Sequence, residues 1–110
     1  MKVTLVGAAD LKTDLLKASE LEKVQEIVKY HTASLTQKAQ RRVPVDTGFL
    51  KRSIIQEISG GGMTGTVTAG ADYAGYVEKG TRFMAAQPYM EPSFNEVKRE
   101  FLKDLERMKK

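Results

Sequence analysis

A change of period inside Val43-Pro44-Val45-Asp46-Thr47-Gly48-Phe49-Leu50-Lys51-Arg52-Ser53-Ile54 constrains the fold of this chain more than any other feature. Upstream, apolar residues recur at helical spacing; downstream they alternate between turn signals. Pro44 has no N–H and disfavours the α region for Val43, so the preceding helix must end close to Arg42. Asp46 and Thr47 can bond their side-chain oxygens to backbone N–H groups and cap a new turn. Gly48 tolerates angles that a Cβ forbids, and Phe49, Leu50 and Ile54 supply apolar anchors. Pro44, Asp46, Thr47 and Gly48 therefore form a structural corner between a helical half and a sheet.

On the N-terminal side, Lys2 to Val6 reads as a short strand broken at Gly7. Residues 8 to 17 read as a short helix with Leu11, Leu15 and Leu16 on one face, and Asp10 and Lys17 placed to suit its dipole. Ser19-Glu20-Leu21-Glu22 matches a capping box. Leu21, Val24, Ile27, Val28, Leu35 and Ala39 then mark one buried face of a helix over about residues 20 to 42, roughly 35 Å long at ~1.5 Å per residue. His31 lies on that face and is read as a core-edge histidine bonded to backbone, since no second histidine or catalytic partner accompanies it. Thr32, Ser34, Thr36 and Gln37 read first as an ordinary solvent-exposed stretch, with the approach of another helix or subunit as the second reading.

On the C-terminal side, 53 to 58 and 66 to 70 read as a β-hairpin around Ser59-Gly60-Gly61-Gly62-Met63-Thr64-Gly65. The three glycines do not form a phosphate loop, because no helix with Lys and Ser or Thr follows them. They are expected to form a loose tip that orders against a partner. Asp72 is placed to cap a short helix with Tyr73, Tyr76 and Val77 on one face, ended by Gly80. Residues 83 to 90 lack a period and are restrained by Pro88 and Pro92, as a fixed arm or binding loop. From Pro92, the residues Phe94, Val97, Phe101, Leu102, Leu105 and Met108 form the apolar stripe of a last helix, expected to pack on the long one. The fold class is α+β: a small antiparallel sheet, made of the hairpin plus the N-terminal strand, packed against a long central helix and a C-terminal amphipathic helix.

Composition narrows the function classes. The 110 residues suit one domain spanning 1–110, able to bury roughly 65% of its unfolded surface. Cysteine is absent, which removes disulfides, thiolate nucleophiles and thiolate zinc sites. The N-terminus does not read as a signal peptide and no apolar run reaches the ~20 residues of a membrane span, so a soluble, cytosolic protein is expected. Asp46, Asp72 and Glu78 are the acids that a fold could gather around a metal, but turns and caps explain each of them. No enzyme activity, cofactor or metal is expected. With 18 Lys and Arg against 14 Asp and Glu the chain carries +4, mostly interleaved. The end pair Lys109-Lys110 and Lys38, Arg41, Arg42, Lys51 and Arg52 near the corner stand apart. The latter five define a competing reading, a small basic nucleic-acid-binding module with salt-sensitive affinity.

Three segments carry a resemblance to a known family: the corner at 43 to 54; Tyr73-Ala74-Gly75-Tyr76-Val77-Glu78-Lys79-Gly80-Thr81; and Gln87-Pro88-Tyr89-Met90-Glu91-Pro92-Ser93-Phe94. In this order and spacing the chain resembles the gene-product-ten-like head-tail joining proteins of long-tailed bacteriophages and prophages, also called tail-completion or minor tail proteins. The resemblance covers nearly the whole chain. It implies a structural virion protein of the neck, an α+β domain whose copies form a ring of six between the head connector and the tail tube. Its expected partners are itself, the connector or head-closure protein, and the tail tube or tail terminator protein, with no membrane and no specific nucleic-acid binding. Its expected location is the virion, and the host cytoplasm during assembly. A ring needs two different patches per subunit. The candidate interface residues are Gly60, Gly61, Gly62, Met63, Tyr73, Tyr76, Phe83, Met84, Pro88 and Tyr89, with residues 59 to 65 and 83 to 90 ordering on assembly.

Overall fold

A computed structural model describes residues 1–7, 18–44 and 48–108 of the protein. Strand β1 (Lys2–Val6) is followed by helix α1 (Ala18–Arg42), helix α2 (Gly48–Ser53), strands β2 (Ile54–Ser59) and β3 (Thr64–Ala69), helix α3 (Ala74–Lys79) and helix α4 (Met90–Met108). The helix expected over 8 to 17, the Asp46 and Thr47 caps, the Ser19 side chain and the Lys109-Lys110 pair lie outside the described residues.

The three strands form one antiparallel sheet in the order β1-β3-β2. In its register Val3 and Leu5 stand opposite Val67 and Gly65, and Ile54 stands opposite Ala69. Strand side chains alternate, so Leu5, Gly65, Val67, Ala69 and Ile54 share one face, and that face is buried. It packs on α1 through Val24, Val28, Leu35 and Ala39, the stripe predicted by the spacing. Gly65 is required by this contact: a Cβ there would overlap the Thr32 hydroxyl, which itself donates to the Val28 carbonyl at 2.6 Å.

Helix α4 lies along α1, as its stripe predicts, and buries Met90, Ser93, Val97 and Phe101. Leu102, counted in the stripe, is instead 51% exposed, because the seam is narrower than the apolar pattern suggests. His31 is buried, but its partner is not backbone: Nε2 meets the Asp104 carboxylate of α4 at 2.6 Å, and the ring stands edge-on to Phe101. That partner is 73 residues away, beyond the reach of local pattern.

The corner behaves as expected in outline. α1 ends at Arg42, Val43 is buried, Pro44 is partly covered, and Leu50 and Ile54 enter the core. Two details differ. Phe49 is 60% exposed and lies against the Tyr73 ring rather than anchoring in the core. Gly48 opens α2 without a positive φ, so it is not needed for a forbidden backbone angle; the nearest atom to a Cβ there is the flexible Arg52 guanidinium, at 3.3 Å.

Candidate functional site

Helix α3 and the arm that follows it carry most of the candidate interface residues. Val77 and Ala74 are buried under α3, which leaves Tyr76 62% exposed and Tyr73 half-buried. The expected Asp72 cap is absent: Tyr73 occupies the N-cap position and no side chain caps the helix. Gly80 ends α3 with φ 80°, as its position suggests, while ψ 173° sends the chain out extended. A Cβ on Gly80 would stand 2.7 Å from the Ala86 backbone nitrogen, so the arm folds back tightly on this residue.

The arm presents its tip in a fixed turn. The Thr81 N–H donates to the Met84 carbonyl at 2.8 Å, the Met84 N–H returns to Thr81 at 3.3 Å, and the Phe83 N–H reaches the Thr81 hydroxyl at 3.1 Å. Phe83 at the tip is 92% exposed, and Met84 and Pro88 are exposed as well. At the base the Gln87 N–H bonds the Val77 carbonyl. Tyr89, placed among the interface residues by sequence, belongs instead to the core. It is fully buried, its hydroxyl donates to the Ala74 carbonyl at 3.0 Å, and burial, helped by the nearby Glu78 charge, pushes its pKa up to about 12.

The residue that fixes the arm is Glu78, which sequence reasoning placed only among acids explained by turns. Its carboxylate is buried and accepts three backbone N–H groups: Tyr89 at 3.1 Å, Met90 at 2.7 Å and Glu91 at 3.0 Å. These donors open α4, where a helix leaves its first N–H groups unpaired and carries partial positive charge. Glu78 thus caps α4 from the end of α3 and closes the arm into a loop with both ends held. Three of its roughly four acceptor sites are taken by backbone N–H groups. Among the described residues no group of three or more His, Cys, Asp and Glu could hold one.

The glycine-rich tip at 60 to 62 forms a 3-10 turn in which all three glycines have positive φ. It is tied to the body rather than loose, because Gln25 of α1 donates to the Gly61 carbonyl at 2.7 Å and Gly7 donates to the Met63 carbonyl at 2.7 Å. Gln25 follows the apolar Val24 in sequence with nothing to mark it; only the packing of the hairpin on α1 reveals its role. The tip and the arm therefore form separate patches, each held by α1 or α3.

The basic cluster around the corner is partly neutralised. Arg42 makes two bonds to Glu96, at 3.0 and 3.1 Å, and one to Ser93 at 2.8 Å, while Lys38 lies 3.7 Å from Glu96. The Arg42 bonds, before any other cause, hold the Glu96 carboxyl below its usual range. Arg41, Lys51 and Arg52 remain exposed. Among the described residues no helix is long and apolar enough to cross a membrane.

Residues 9–80, about two thirds of the chain, match the family model described as "Bacteriophage HK97-gp10, putative tail-component". No curated protein and no solved structure matches. The matched stretch contains the corner and nearly all of the α3 motif, and ends where the arm begins.

Proposed function

This chain belongs to the HK97-gp10-like family of bacteriophage tail components, and from that premise we propose that it works in the phage neck, as a ring of six copies between head connector and tail tube. The ring joins or completes the tail, contacts the connector or head-closure protein on one side and the tail tube or terminator protein on the other, and does no chemistry. The observation that supports assembly is the arm: an aromatic side chain 92% exposed, on a turn held by three hydrogen bonds and anchored through Glu78, serves nothing in the monomer's own core. Exposed Tyr76 on α3 and Phe49 on α2 add apolar area of the same kind.

The nucleic-acid reading is weaker. Two of its five cations, Lys38 and Arg42, face Glu96. Electron microscopy of particles made without this gene tests the proposal. DNA-filled heads beside separate tails, or tails with ragged ends, are expected; normal joined virions would overturn the role. Salt-dependent DNA binding by the isolated protein would favour the competing reading.

A further inference from the structure

We propose that the Arg82–Phe83 tip of one copy seats in the groove between α1 and α4 of the next copy, with Arg82 facing Glu100 and Phe83 covering Tyr30. This names the two patches of the assembly and rests on the ring reading above. The knob is preformed: the Arg82 guanidinium lies 5.6 Å from the centre of the Phe83 ring, on a turn closed by backbone bonds. Phe and Arg are both among the residue types enriched at protein interfaces relative to the rest of the surface.

The groove, about 230 Å³, is lined by Tyr30, His31, Ser34 and Lys38 of α1 and by Val97, Glu100 and Asp104 of α4. Tyr30 is 69% exposed yet braced, its ring edge-on to His31, which is edge-on to Phe101. Asp104 is committed to His31 at 2.6 Å and Arg107 at 3.3 Å, whereas among the described residues Glu100 has only Lys103 at 3.9 Å. Glu100 is the carboxylate with capacity left for an incoming guanidinium, which matches carboxylate geometry with two parallel donors. The groove on the other side of Tyr30, lined by Thr36, Gln37, Gln40 and Gln56, has no carboxylate, so the charge of Arg82 selects the α1–α4 side. The small residue Ser34 beside Tyr30 leaves room for the approach.

Knob and groove are different patches of one surface. The arm joins α4 at Met90, and Val97 lies about 10 Å further along that helix at ~1.5 Å per residue. A contact between unlike patches is heterologous, so each copy offers a free knob and a free groove until a ring closes.

Sedimentation velocity of the full chain, from micromolar to near-millimolar concentration, tests the pairing. Arg82→Glu and Glu100→Arg should each raise the concentration needed for assembly about tenfold, and the double variant should recover to within about threefold of the parent chain. Phe83→Ala should weaken assembly by a similar factor with an unchanged melting temperature, because Phe83 lies outside the core. A chain that stays monomeric throughout, single variants that assemble normally, or a double variant no better than its worse parent would each overturn the pairing. Virions lacking the gene separate the two ideas: normal particles with a rescued charge pair refute the neck role alone. Defective tails with no rescue refute the pairing alone.

Discussion

Replacing Glu78 by glutamine changes one atom of the side chain and tests how the arm is held. In the parent chain one carboxylate oxygen accepts from Tyr89 and Met90, and the other from Glu91. Hydrogen bonds to charged groups contribute about 1.5–3 kcal/mol each and neutral ones about 0.5–1.5. Glutamine keeps two bonds in weaker form, sets an amide N–H against the Glu91 N–H, and removes the charge that the start of α4 favours. Desolvating an amide rather than a carboxylate offsets part of that loss. The net expectation is a loss of about 2–3 kcal/mol, and more for Glu78→Ala, which leaves the donors of buried Tyr89 and Met90 without an acceptor. Against a total of about 5–15 kcal/mol this is a large fraction. Thermal unfolding followed by circular dichroism should show a drop of roughly 8 °C or more, and amide exchange should quicken at residues 89 to 91 before it quickens in the sheet. Glu91→Gln, on an exposed residue of the same first turn, serves as the control and should cost only a few tenths of a kcal/mol. A Glu78→Gln chain as stable as the parent to within about 0.5 kcal/mol would refute the cap.

Three further outcomes follow from the packing. Tyr89 has its folded pKa raised to about 12 from an ordinary 10.0, so its contribution is complete below pH 10 and is lost as pH rises toward 12; Tyr89→Phe should flatten that alkaline decline in melting temperature. Glu96 has its folded pKa lowered, chiefly by Arg42, so its contribution is present above the ordinary carboxylate range and fades as pH falls through the folded value; Glu96→Gln should remove that part of the acid decline, and an unchanged pH profile would contradict it. Gly65→Ala should cost about 1–3 kcal/mol by denaturant unfolding because it forces Thr32 aside; adding Thr32→Ala should recover part of the loss, and a neutral single variant would show that α1 and the sheet are not in close contact there.

The elements legible in the sequence are those written in local periodicity. β1, α1, the hairpin and α4 each carry an apolar repeat or a turn signal within their own span, and Pro44 marks the end of α1. What was not legible depends on contacts between distant residues. Nothing near His31 names Asp104, and nothing near Glu78 says that its carboxylate meets α4 eleven to thirteen residues later. Tyr89 looked like part of an exposed arm because its neighbours Phe83 to Pro88 are exposed and the segment has no period; only the closure of the arm by Glu78 turns it inward. Gly48 shows the reverse case, a residue type that suggested backbone strain at a place where none exists. Of the candidate interface, Tyr76, Phe83, Met84 and Pro88 are exposed, and the glycine tip is present but fastened to α1.

The strand order has a consequence for how the protein is made. β1 is synthesised before the hairpin, yet among the described residues its only strand partner is β3, so Thr4 must wait for Thr66, 62 residues later. At about 5–20 residues per second that is a delay of roughly 3–12 s on the ribosome, during which Val3 and Leu5 have no sheet to join. β2 and β3 emerge one after the other and can pair at once. The growing chain can thus close its hairpin first and add β1 to the other side of β3 afterwards, with the Met1 carbonyl accepting the Ala69 N–H. A bulky insertion placed before β1 should slow that closing step more than the same insertion placed after α4, which a comparison of refolding rates would reveal.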